Sequence, residues 1–150
     1  MMRPVLAEET AVVRATAEEL AAIHMVLERF WKVVDARVAQ PPAHAWRHHF
    51  ATALAEIAAN IVRHAYPMGT APGSMRLRLR LYADRVVASF ADQGVLFAPP
   101  DAADSPGSDR SELPEGGYGL ALARATLDRL EYRRTPAGTN CWRLMKRFQT

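Results

Sequence analysis

Residues 75–81 read Met-Arg-Leu-Arg-Leu-Arg-Leu, and residues 54–66 before them read Leu-Ala-Glu-Ile-Ala-Ala-Asn-Ile-Val-Arg-His-Ala-Tyr. The 75–81 stretch alternates apolar and charged side chains with a period of two, which is typical of a half-buried strand. In the 54–66 stretch, Leu54, Ile57 and Ile61 recur at helical spacing. The sequence therefore predicts a long helix over about 43–65 that is followed by a strand.

The helical and strand periodicities also predict the elements that precede and follow these two stretches. Thr16 suits a helix N-cap, with Glu18 and Glu19 in the first turn. Helices are expected at 17–38 and 118–129, and further strands at 10–15, 85–91, 130–134 and 140–148. This order predicts an α+β fold in one domain spanning 1–150. We expect a two-layer sandwich, with helices on one face of a mixed, mostly antiparallel sheet.

Composition limits the classes of protein that this chain can represent. It has 150 residues, 49% of them apolar, which is typical of a globular domain. The single cysteine excludes an internal disulfide and a cysteine-based zinc site. Nineteen basic residues against sixteen acidic ones permit nucleic-acid contact without requiring it. No secretory leader or membrane span is apparent, so we expect a cytoplasmic, soluble protein.

Three polar residues of the long helix lie at successive steps of four: Glu56, Asn60 and His64. They share one face, beside the apolar stripe. An asparagine amide oxygen can bind a hard cation such as Mg²⁺, and a glutamate can act as a general base. Taken alone, however, this pattern favours the solvated edge of an amphipathic helix over a pocket.

Three further segments are ambiguous when each is taken alone. Asp92-Gln93-Gly94 ends a strand with a carboxylate that can accept a hydrogen bond from an exocyclic amine, but it also suits a simple turn. The segment Glu115-Gly116-Gly117-Tyr118-Gly119-Leu120 opens a helix, where backbone N–H groups can bind phosphate or glycines can form a hinge. Gly138-Thr139 suits a hairpin turn.

The order and spacing of these four segments resemble the motifs of the Bergerat-type ATPases, which include gyrase B, MutL proteins and histidine kinases. The ending His64-Ala65-Tyr66, the segment 92–97 and the segment 127–132 are similar to those of the anti-sigma-factor serine kinases of bacterial partner switching. The resemblance covers about residue 43 to the C-terminus. Leu96 replaces a glycine common in the wider superfamily, which argues against a sensor histidine kinase.

The resemblance implies an ATP site that uses Mg²⁺. Asn60 matches the family's metal-binding asparagine, and Glu56 matches the proposed base that takes a proton from a serine or threonine hydroxyl. Asp92 matches the adenine-reading aspartate, Gly94 gives the base room to approach, and Thr139 supports the adenine site. Phosphates are expected on the backbone N–H groups of Gly116, Gly117, Gly119 and Leu120.

The implied function is that of an ATP-binding anti-sigma factor that is also a protein serine/threonine kinase. Its expected partners are an anti-anti-sigma protein of the STAS type and a sigma factor, with a homodimer allowed and no direct contact with nucleic acid or membrane. Residues 98–115 would form the ATP lid. The alternative is an ATP-binding regulatory module that sequesters its partners without efficient phosphotransfer.

The arginines that alternate through 75–81 remain outside this interpretation. Arg76, Arg78 and Arg80 share one strand face, which could bind nucleic acid or an acidic partner. The simpler interpretation is a solvated sheet face. No aromatic residues interleave with these arginines, which weakens the case for RNA.

Overall fold

The computed structural model describes residues 3–67, 71, 73–97 and 117–148. Within these ranges there are three α-helices, which are α1 (Leu20–Arg37), α2 (His44–His64) and α3 (Gly117–Thr126). The strands are β1 (Ala7–Arg14), β2 (Ser74–Leu81), β3 (Arg85–Asp92), β4 (Arg129–Arg134) and β5 (Asn140–Arg147). The sheet order is β1-β2-β3-β5-β4, and all of these neighbours are antiparallel.

The alternation in β2 explains how the sheet and the helices form two layers. Met75, Leu77, Leu79 and Leu81 are fully buried, whereas the arginines between them lie on the opposite face of the sheet. The apolar stripes of α1 and α2 join the same core as these residues. The expected α+β sandwich is therefore confirmed. In the part of the chain described, the sheet is wholly antiparallel rather than mixed.

The last helix is shorter than the sequence predicted. It ends at Thr126 rather than near Arg129, and Arg129 already belongs to β4. Pairing with the sheet ends the helix, because the Asp128 N–H donates to the Met145 carbonyl (2.9 Å) and the Asp128 carboxylate accepts from the Arg147 N–H (2.7 Å). The hairpin between β4 and β5 is confirmed, and its turn contains Gly138 at a φ of 90°.

The start of the first helix also differs from the prediction. Thr16 precedes a short 3₁₀ turn, Ala17–Glu19, and its side chain makes no capping hydrogen bond. The Thr16 carbonyl instead accepts from the Glu19 N–H at 3.1 Å. The α-helix proper therefore begins only at Leu20.

Two connections position the segments that carry the candidate site. Asp92, at the end of β3, lies directly opposite Asn140, at the start of β5. The loop after β3 docks on the end of α2, because the Val95 N–H donates to the Ala65 carbonyl at 2.7 Å. The polar face of α2 and the ends of both strands thus meet at one edge of the core.

Candidate functional site

Asp92 provides a buried carboxylate at the end of β3. Its side chain is only 2% exposed. Its Oδ1 atom accepts hydrogen bonds from the Gly94 N–H (2.9 Å) and from the Asn140 amide Nδ2 (2.8 Å). These donors stabilise a carboxylate that would otherwise be costly to bury.

Asn140 is the centre of this network, and the sequence reasoning missed it. Its Nδ2 group also lies within hydrogen-bond distance of the Gly94 (3.1 Å) and Val95 (3.0 Å) carbonyls. Its Oδ1 atom accepts from the Tyr132 hydroxyl (2.6 Å) and the Arg134 guanidinium (2.9 Å). Because donors face Oδ1, the amide must direct Nδ2 towards Asp92. The sequence feature that could have identified Asn140 is a polar residue at the first core-facing position of β5.

Gly94 allows the loop after β3 to lie against the backbone of α2. A Cβ atom at this position would overlap the carbonyl group of Ala65. Tyr66 fixes the same junction, since its hydroxyl donates to the Ser74 carbonyl (3.0 Å) and accepts from the Gln93 N–H (3.1 Å). Burial raises the pKa of the Tyr66 hydroxyl, and the charge on Asp92 adds to that rise, while the bond from Gln93 opposes it.

Asn60 lies in the same cleft as Asp92 and Asn140. It is 4% exposed, and its Nδ2 atom is buried without a hydrogen-bond partner among the residues that the structure describes. A buried amide donor without a partner costs about 1–3 kcal/mol, so folding alone gives no reason for an asparagine here. Asn60 is therefore a polar group available to a ligand.

Glu56 and His64 flank Asn60 along α2 and differ in their surroundings. The half-buried Glu56 carboxylate lies so close to Gly119 of α3 that a Cβ atom there would overlap it. His64 is exposed, and its ring contacts Phe97 with centroids 5.8 Å apart. Partial burial lowers the pKa of the His64 imidazole, and the neighbouring Arg63 charge lowers it further.

Aromatic rings close the apolar side of the cleft. The Phe97 ring contacts Trp142 (centroids 5.0 Å apart) and Tyr132 (5.8 Å), and Tyr132 in turn contacts Trp142 (4.7 Å). The Phe97 N–H donates to the Tyr132 hydroxyl at 3.0 Å. The ring cluster is thus joined to the Asn140 network by hydrogen bonding as well as packing.

The structure describes the other residues expected in the site to different extents. The Thr139 hydroxyl accepts a hydrogen bond from the Gln93 side chain at 2.8 Å, and its expected support of the adenine site stays a prediction. Gly117 begins α3, and the buried Leu120 packs into the core. Gly116 and the expected lid at 98–115 lie outside the described residues. Their proposed roles, like those of Gly117, Gly119 and Leu120 in phosphate binding, stay predictions.

The arrangement brings a buried carboxylate and an unpartnered amide to the same edge of the core. A buried carboxylate at the cleft floor suits an amine donor, and the Asn60 amide suits a cation or a phosphate oxygen. In the described part of the chain, no cluster of three or more histidine, cysteine or acidic side chains could hold a metal ion.

Comparison with known proteins identifies the architecture. The sequence matches the family described as the histidine kinase-like ATPase domain over residues 4–145. The chain belongs to this family. The match extends through every helix and almost every strand described above, so the resemblance inferred from the motifs is confirmed.

Two relatives of this ATPase domain are named serine-protein kinase RsbW. The protein from Halalkalibacterium halodurans is 39% identical over 84 residues, which is 53% of this chain and 50% of the relative. The protein from Bacillus licheniformis is 33% identical over 81 residues, 51% of this chain and 50% of the relative. The alignments thus span about half the length of these relatives. None of the helices described in the ATPase domain is long and apolar enough to cross a membrane.

Proposed function

We propose that this ATPase domain is an anti-sigma factor that binds ATP with Mg²⁺ and phosphorylates a serine or threonine of an anti-anti-sigma protein of the STAS type. The observation that carries the proposal is the buried Asp92–Asn140 pair, which shares one cleft with the unpartnered Asn60 amide. The names of the two relatives support the kinase activity. The proposed location is the cytoplasm, with a sigma factor as the second partner.

Asp92 is proposed to recognise the adenine base. Both hydrogen bonds described for its carboxylate end on Oδ1, so Oδ2 is the atom assigned to accept from the exocyclic amine. Asn140 holds the carboxylate in this orientation, and Gly94 keeps the adjacent backbone close to α2. Trp142 and Phe97 provide apolar surface beside the base.

Asn60 is proposed to bind the metal through its amide oxygen and to leave its Nδ2 group for a phosphate oxygen. The N–H groups at the start of α3 would add backbone donors for the phosphates. ATP would supply the phosphoryl group that is transferred. Within this proposed phosphate-binding segment, Gly119 lies against the Glu56 side chain.

Glu56 is proposed as the general base. Its carboxylate would accept the proton of the acceptor hydroxyl as that oxygen forms a bond to the γ-phosphorus and ADP leaves. The half-buried position beside Gly119 restricts the conformations of the carboxylate. A base of this kind contributes about 10²–10⁴ in rate, and the loose phosphoryl transition state favours the lower end.

The test is the mass of the acceptor protein after incubation with the ATPase domain, ATP and Mg²⁺. The wild type should add one phosphate. Glu56→Gln should lower the rate by roughly a hundredfold while ATP affinity stays within a few-fold. Glu28→Gln, an exposed change on α1, is the matched control and should react like the wild type.

Each other outcome has a defined meaning. Absence of transfer by the wild type would favour a regulatory module that binds ATP and sequesters its partners. Transfer by Glu56→Gln at the wild-type rate would show that Glu56 is a polar helix edge and that the base lies elsewhere.

A further inference from the structure

The outer face of the sheet, opposite the helices, carries an excess of positive charge. Cross-strand register places Arg78, Ser89, Arg143 and Glu131 in one row across four strands. Two acidic residues on this face, Glu8 and Glu131, accompany nine arginines along it. These arginines are Arg14, Arg76, Arg78, Arg80, Arg85, Arg129, Arg133, Arg143 and Arg147.

The acidic residues neutralise only part of this charge. Glu8 pairs with Arg80 at 2.8 Å, and Glu131 pairs with Arg129 at 2.6 Å. Glu8 also lies 3.8 Å from Arg78, beyond hydrogen-bond distance. Five exposed arginines of the face have no ion pair with any residue that the structure describes: Arg14, Arg76, Arg133, Arg143 and Arg147.

Two of the unpaired arginines, Arg133 and Arg143, line a groove in this face. The outer groove has a volume of about 820 Å³, with Arg78 and Arg80 on one side and Arg133 and Arg143 towards the other. Small side chains such as Ser89 lie between them. Within the described ranges, the Nε atom of Arg78 is buried and has no hydrogen-bond partner.

We propose that the outer groove binds an acidic helix of a partner protein. Strands β2 and β4 are three sheet positions apart, or roughly 14 Å at about 4.8 Å per strand. A helix with its side chains is about 10–12 Å across and therefore fits between the two arginine sides. Carboxylates along its flanks would meet guanidinium groups, which bind them in bidentate geometry.

The charges disfavour two other occupants. A second copy of the same face would bring identical arginines together, which is repulsive. A nucleic acid carries a negative charge at every nucleotide and would place phosphates against Glu131 and Glu8. A protein helix can place neutral or basic residues opposite those two carboxylates. The surface lies on the opposite side of the sheet from the nucleotide cleft, so this proposal does not depend on the proposed kinase activity.

The test uses a fluorescent helical peptide of about 20 residues, roughly 30 Å long, with glutamates three and four apart along two flanks. Fluorescence anisotropy at physiological ionic strength should show saturable binding to the full chain. Arg133→Ala combined with Arg143→Ala should weaken binding about tenfold. Arg29→Ala combined with Arg37→Ala on α1 removes the same charge and should change the affinity less than twofold.

Several results would overturn the proposal. One is the absence of peptide binding to the wild type, and another is an equal loss of peptide affinity in the groove variant and the α1 variant. A third is that the wild type binds a labelled oligothymidine more tightly than the peptide and that the groove variant loses this binding. A wild-type dimer that becomes a monomer in the groove variant, measured by light scattering, would assign the face to a second copy. Thermal melting of each variant verifies folding, and Arg143→Glu alone provides a second variant that should also lose peptide binding.

Discussion

Replacing Asn140 with alanine tests the network that fixes Asp92. The change removes one of the two described donors to the Asp92 carboxylate. It also leaves the Tyr132 hydroxyl without its acceptor, while the Arg134 guanidinium keeps only the Gly94 carbonyl among its described acceptors. A hydrogen bond to a charged group contributes about 1.5–3 kcal/mol. We therefore expect Asn140→Ala to lower the free energy of unfolding by about 2–3 kcal/mol, or the melting temperature by about 4–12 °C.

A neighbouring variant and a double-mutant cycle make this measurement specific. Thr139→Ala removes a hydroxyl bonded only to the exposed Gln93 side chain in the described network, so it should cost less than about 1 kcal/mol. Tyr132→Phe should cost less in the Asn140→Ala background than alone, because the two residues share one hydrogen bond. A melting temperature equal to that of the wild type, or strictly additive changes, would refute the central role of Asn140.

The remaining predictions concern Gly94 and Asn60. Gly94→Ala would place a methyl group against the Ala65 backbone, 2.6 Å from its carbonyl carbon, and should destabilise the fold by about 1–3 kcal/mol or more in urea titrations. An unchanged denaturation midpoint would contradict the close approach. Asn60→Ala removes a buried donor without a partner, so stability should be unchanged or higher while affinity for ATP with Mg²⁺ falls. Calorimetry in Mg²⁺ and in chelator measures that difference, and equal affinities of Asn60→Ala and the wild type in Mg²⁺ would exclude the metal role.

The periodicity of apolar residues predicted the two layers of this fold well, because burial of one face of each helix and strand sets that periodicity. The arginine–leucine alternation of β2 and the stripe through Leu54, Ile57 and Ile61 both appear in the structure as predicted. Element ends were less predictable, because long-range pairing determines them. The last helix ends where Asp128 joins β5, a contact between residues that a local pattern does not reveal.

In the candidate site, too, local sequence patterns predicted some residues, whereas long-range pairing determined others. The spacing of Glu56, Asn60 and His64 was sufficient to place them on one helix face, and the Asp92-Gln93-Gly94 segment indicated a strand end. Asn140 was missed because its importance comes from strand register, which sets it opposite Asp92. Thr139 was predicted to support the adenine site with Asp92; its hydroxyl accepts from the Gln93 side chain, and the predicted role stays a prediction.

The most direct test of the central claim, that this cleft is an adenine-specific ATP site, is calorimetric titration of the wild type with ATP and with GTP in Mg²⁺. A guanine base would set a carbonyl oxygen against the Asp92 carboxylate, and an unpaired buried acceptor costs about 1–3 kcal/mol or more. We predict saturable binding of ATP at least about tenfold tighter than that of GTP. Equal affinities for the two nucleotides, or no binding of ATP, would contradict the account.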